Sequence, residues 1–153
     1  MVLTLFLTSF FFYPTNGPEI DYAAELKLAN ESAEYCMNFF EIMQEHKDKS
    51  STAQGYFGVA TMMQAKVYSN PFTKLSYFNQ GKKILEDAIV SAPDNMELRF
   101  LRYAVQVKVP AILFYTQWIE QDRTALDIYV TKHDDELAGR ILEFYQMLDE
   151  EGS

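Results

Sequence analysis

Two histidines, His46 and His133, and one cysteine, Cys36, carry all the imidazole and thiol chemistry of the chain. The residues three before the histidines are Met43 and Val130, so neither falls in the Glu-x-x-His spacing that aims a carboxylate and an imidazole at one metal. The His-Glu-x-x-His pattern is also missing. Asp134-Asp135-Glu136 follow His133 and offer oxygens to a hard cation, but consecutive acids ahead of a helix more commonly cap it and complement its dipole. Glu41 and Glu45 lie one helical turn apart, the spacing of an acid–base pair, yet they fall on the polar face of their segment and read as solvated surface. A single thiol forms no internal disulfide, and Cys36 among apolar neighbours reads as a small core residue. The sequence contains no phosphate loop, Gly-x-Ser-x-Gly or Cys-x-x-Cys. The expectation is a protein that is not an enzyme and uses no metal or cofactor.

Binding is the chemistry that remains. Residues 66–108 carry seven bases against four acids, whereas residues 19–48 carry eight acids against two bases and residues 134–151 seven against one. The basic middle consists of Lys66, Lys74, Lys82, Lys83, Arg99, Arg102 and Lys108. Arg99 and Arg102, three apart, share a helix face. With Lys82 and the aromatic residues Tyr77 and Tyr103 they are the expected partner-binding set, since Arg and aromatic side chains dominate interface energetics. The partner this suggests is a protein with an acidic segment. The competing reading pairs these bases with Glu86, Asp87 and Glu97 on the protein's own surface. A second functional class is a binder of a small apolar ligand in a cavity lined by Met62, Met63, Phe114, Tyr115 and Trp118, residues that also serve as plain core. The net charge of −9 argues against nucleic-acid binding, which needs a basic footprint.

Helices must position these residues. A chain of 153 residues that is 48% hydrophobic can build one core, and only 5 Pro and 6 Gly leave long uninterrupted stretches. From Asp21 to His46 the apolar positions Tyr22, Leu26, Ala29, Ala33, Cys36, Phe40 and Met43 step by three and four, which predicts one long half-buried helix. Ser51 with Gln54 reads as a capping box ahead of a stripe of Tyr56, Val59, Ala60, Met63 and Val67. Asn70-Pro71 opens a third helix that buries Leu75, Phe78, Gly81, Leu85 and Ala88 and pairs Lys82 with Glu86 and Lys83 with Asp87. Asp94 with Glu97 caps a fourth, in which Leu98, Leu101, Ala104 and Val105 face inward and Pro110 ends the run. A short helix with Ile119, Leu126, Ile128 and Tyr129 follows. The last one starts at Asp134-Asp135-Glu136 and buries Leu137, Ile141, Phe144 and Leu148. Short links between them make antiparallel neighbours. The expected architecture is all-α, five to six helices in hairpin order, over residues 18–153.

Val2 to Tyr13 is apolar apart from Thr4, Thr8 and Ser9, and no charge precedes Glu19. Twelve residues are too few for a transmembrane helix, which takes about 20. The run fits the apolar region of a signal peptide, with Pro14-Thr15-Asn16-Gly17 as its polar exit. Residues 1–17 therefore read as a signal peptide, and the location expected for the rest is periplasmic or secreted, with no membrane span. An apolar terminal element packed on the domain is the alternative.

Residues 77–95 resemble the second helix of a tetratricopeptide repeat: Gly81, Leu85, Ala88 and Pro93 stand at the family's small, large, Ala and Pro positions. The resemblance covers about half a repeat and implies a hairpin with close helix approach and a non-catalytic role in protein interaction. The longer string from Asn70-Pro71-Phe72 through Glu97-Leu98-Arg99-Phe100-Leu101-Arg102 is similar to small exported helical proteins of Gram-negative bacteria, a likeness that implies no known activity.

Overall fold

The computed structural model describes residues 20–152, and the expected signal peptide at 1–17 lies outside them. Among the described residues there are seven α-helices and no strand: α1 (Tyr22–Ala29), α2 (Ala33–His46), α3 (Ser51–Met63), α4 (Pro71–Ser91), α5 (Met96–Lys108), α6 (Ile119–Lys132) and α7 (Glu136–Glu151). Single 3-10 turns follow α3 at Gln64–Lys66 and α5 at Ala111–Leu113. None of these helices is long and apolar enough to cross a membrane.

Capping residues set the boundaries. Asp21, Ser32, Ser50, Asn70, Asn95 and Asp135 each accept backbone amides of the turn that follows, satisfying donors that a helix start leaves free. Two of the expected caps move by one residue, from Ser51 to Ser50 and from Asp94 to Asn95. Adjacent residues of equal capping ability make that choice ambiguous until packing fixes which face turns inward.

The single helix expected over 21–46 is two. Asn30 donates through Nδ2 to the Leu26 carbonyl at 3.0 Å, and the Ser32 hydroxyl accepts the Tyr35 amide at 3.1 Å. Strong cap formers side by side end one helix and begin the next. Packing after the break centres on Cys36, Phe39 and Met43, leaving Ala33 exposed and Phe40 half-buried. Leu75 also departs from expectation: it is exposed on the first turns of α4, before that helix reaches its neighbours.

Consecutive helices run antiparallel. Ring contacts and hydrogen bonds pair the start of α1 with the end of α2 (Tyr22 and His46), and α2 with α3 in descending order (Cys36 with Met63, Phe40 with Phe57). The tightest pair is α3 and α4, where Gly58 and Gly81 bring the two backbones together. It follows that odd-numbered helices run parallel. Asn95 and Glu97 at the start of α5 bond Thr52 and Tyr56 near the start of α3, while Glu97, Phe100 and Lys108 on α5 meet Arg140, Phe144 and Glu151 in rising order on α7. One core lies among α1–α4 and one side of α5, around Tyr56, Leu85, Leu98 and Leu101. A smaller one lies among α5, α6 and α7, around Phe100, Tyr103, Leu126 and Ile141. Burying each such side chain contributes about 1.5–3 kcal/mol.

Candidate functional site

The five residues expected to form one basic and aromatic surface do not share an exposed face. Arg102 is only 5% exposed: its Nε and Nη2 bond both oxygens of the fully buried Asp122 at 2.7 and 2.9 Å, and Nη1 bonds Glu86 at 2.9 Å. The Trp118 ring lies 5.0 Å from the guanidinium carbon. Burial alone would pull the Arg102 pKa down, but the bonds and charges of Asp122 and Glu86 outweigh it and the net shift is upward. Tyr103 is also buried, edge-on to Phe144 and Tyr145, with its hydroxyl accepting from Arg123 at 3.2 Å. Arg99 is half-buried and donates to the Pro93 carbonyl at 3.1 Å. Lys82 does not pair with Glu86; its ammonium sits 4.6 Å from the centre of the Tyr115 ring. Tyr77 stacks on Tyr68 at 4.9 Å. Arg102 and Lys82 thus tie α4 to α5, α6 and the α5–α6 link, while Tyr77 contacts the segment before α4 and Tyr103 faces α6 and α7.

Other sequence candidates are similarly placed. Met62, Met63 and Tyr115 are core residues, and Phe114 and Trp118 are exposed, so these five do not surround one cavity. Asp135 caps α7 through the Ala138 amide and accepts the Tyr129 hydroxyl at 2.6 Å. His133 stacks on Tyr129 at 4.1 Å. Glu41 and Glu45 are exposed on α2. Among the described residues no cluster of His, Cys, Asp and Glu is arranged to hold a metal ion.

The surface feature that the packing builds is a groove. No Cα atom of α1 lies within 8 Å of one in α7, and the first turns of α3 and α5 lie between them as a floor. At the end where all four odd helices begin, an open cleft of about 540 Å³ is bordered by Ile20, the cap Asp21 and Tyr22 of α1, Thr52 of α3, Glu97 of α5, the cap Asp135, and Glu136 and Arg140 of α7. An adjoining cleft of about 300 Å³ continues along the same helices past Leu26, Tyr56, Phe100, Leu101, Phe144 and Met147. Ala23 and Arg140 border both, so the two clefts adjoin.

A hydrogen-bonded triad fixes its floor. Tyr56 donates to Glu97 Oε1 at 2.7 Å, and Arg140 reaches the Tyr56 oxygen at 3.0 Å and Glu97 Oε1 at 2.8 Å. Burial, reinforced by the neighbouring Glu97 carboxylate, pushes the Tyr56 pKa well above the usual phenol value. The Tyr56 phenol therefore stays a neutral donor. Burial would lower the Arg140 pKa, but Glu97 and Tyr56 raise it overall, so the guanidinium stays charged. Glu97 thus accepts two donors on one oxygen, Oε1. Arg140 had one visible signal in the sequence: it is the single base among the seven acids of residues 134–151. Tyr56 was legible only as a core position, and nothing in the linear order connects it to a residue 84 positions later.

In comparison with known proteins, the chain matches no family model, no curated protein and no solved structure.

Proposed function

We propose that the chain is a non-catalytic protein-interaction module of helical-hairpin type, which receives a segment of a partner protein in the groove between α1 and α7. The observation that carries this reading is the lining: apart from Ile20, which precedes the first cap, every bordering residue belongs to an odd-numbered helix or to the cap before it. Helical hairpins stacked in sequence present such a concave inner surface to their partners, as the resemblance of residues 77–95 to a tetratricopeptide helix also suggests. The walls are rigid helices, and the groove mixes apolar area with fixed polar groups, the combination that gives a peptide both affinity and register.

Selection of a random displayed peptide library on the folded domain tests this. Peptides are enriched, and they lose at least about tenfold in affinity when the groove is narrowed by Met147→Arg, with helix content unchanged. Failure to enrich any peptide, or binding that ignores Met147→Arg, overturns it.

Export to the periplasm or beyond belongs to the same reading, on the strength of the uncharged apolar run Val2–Tyr13. Sequencing the N-terminus of the mature protein tests that part, and an intact Met1 refutes it.

A further inference from the structure

We infer that the groove takes a cationic, amphipathic segment, with Lys or Arg side chains at the end where the odd helices begin and apolar side chains against Tyr56, Phe100, Phe144 and Met147. This rests on the groove being the interaction site and names the chemistry of its occupant.

Charge supports the first half. The larger cleft is bordered by the carboxylates of Asp21, Glu97, Asp135 and Glu136 and by one guanidinium, that of Arg140, an excess of three negative charges. Arg140 is already committed to Glu97 and Tyr56 and approaches Glu136 only at 3.9 Å. The Glu136 side chain is 77% exposed, and no closer cation reaches it among the described residues. Asp21 spends one oxygen, Oδ1, on the Ala23 and Ala24 amides. The helix starts behind Asp21 and Asp135 offset part of this charge; the excess that remains repels an anionic partner and favours a Lys or Arg side chain. The net charge of −9 adds attraction at longer range.

The second half follows from the adjoining cleft, whose border is mostly Ala23, Leu26, Tyr56, Phe100, Leu101, Phe144 and Met147. Its charged groups, Lys27, Arg140 and Glu143, carry both signs. Apolar side chains of a bound segment gain there by leaving water, and the acidic end then fixes the segment's direction. The sign is opposite to the one the sequence suggested, because the bases expected to meet a partner lie outside this groove, with Arg102 buried on Asp122 and Glu86 and Lys82 against Tyr115.

The test uses two series of short fluorescent peptides with the same apolar residues, one bearing Lys at the charged positions and the other Glu, titrated against the full chain. The Lys series binds at least about tenfold more tightly, and added salt narrows the difference. Glu136→Lys weakens the Lys series and strengthens the Glu series, while Met147→Arg weakens both. Equal binding of the two series, or preference for Glu, overturns the proposed chemistry and leaves the groove standing as a site, provided Met147→Arg still weakens binding. If neither series binds, or Met147→Arg has no effect, the groove reading falls and takes this inference with it.

Discussion

Gly58 and Gly81 face each other where α3 crosses α4, so closely that a methyl group on Gly58 would sit 2.8 Å from the Gly81 carbonyl oxygen and 2.7 Å from the Leu85 nitrogen. A methyl on Gly81 would lie 2.5 Å from the Met62 nitrogen. These obstacles are backbone atoms, which cannot swing aside as a side chain can. Replacing glycine by alanine in a helix ordinarily stabilises by about 1 kcal/mol, but here the helices must separate. Gly58→Ala and Gly81→Ala are each expected to destabilise by about 1–3 kcal/mol in urea unfolding. Gly139→Ala is the control: nothing stands within 4 Å of its added methyl, and it should leave stability unchanged or raise it by up to about 1 kcal/mol.

Arg102 and Asp122 present a different arithmetic. Arg102→Met leaves the fully buried Asp122 carboxylate without its counter-ion, and a loss of about 3–5 kcal/mol is expected. Adding Asp122→Leu should recover most of that loss, because a buried ion pair gains little over apolar groups of similar size once both desolvations are counted. A double variant as unstable as the single one would show that the pair does more than cancel its own charges. Denaturant midpoints of the three proteins decide the matter.

Phe114 is the one non-glycine residue with positive φ among the described residues, at 48°, and its side chain is 81% exposed. Leu113, partly buried, and Tyr115, buried and donating to Glu86 at 2.6 Å, hold the link on either side and force the left-handed turn between them. Asn tolerates that conformation better, and little packing is lost with an exposed ring. Phe114→Asn should raise stability by up to about 1 kcal/mol, measured as a higher melting temperature.

Asp135 links stability to acidity. The hydrogen bond from Tyr129, and after it the Ala138 amide, holds the Asp135 carboxyl below its ordinary value of 3.8. A carboxyl whose pKa is lower when folded stabilises the fold above pH 3.8, and that contribution disappears as pH falls through the folded value. Asp135→Asn keeps a capping side chain without the charge. Its melting temperature should therefore fall less than the native protein's as pH drops from neutral to below 3.8; parallel curves would exclude the linkage.

Helix positions were legible wherever the warrant was local. The three-and-four spacing of apolar residues, the Asn70-Pro71 start of α4, the stop at Pro93 and the acids before α7 depend on interactions within a turn or two, and the helices stand close to where those signals put them. The break at Asn30–Ser32 escaped the same reading because the apolar spacing runs unbroken through a turn of capping residues.

The candidate site was not legible, since charge and aromatic content do not say which way a side chain points. Arg99 and Arg102 share a helix face by spacing, but one is half-buried at the α4–α5 turn and the other lies between α4 and α6. Their surroundings come from segments far away in sequence, as do those of the groove, where Tyr56, Glu97 and Arg140 meet from three helices. Sequence by itself determined an acidic, all-helical chain with most of its helix starts, to within a residue, and most of its inward stripes, because helix period and capping are properties of neighbouring residues. Only the tertiary structure decided that Arg102 is buried against Asp122 and Glu86 and that α1 and α7 flank the starts of α3 and α5, because both depend on contacts between helices distant in sequence.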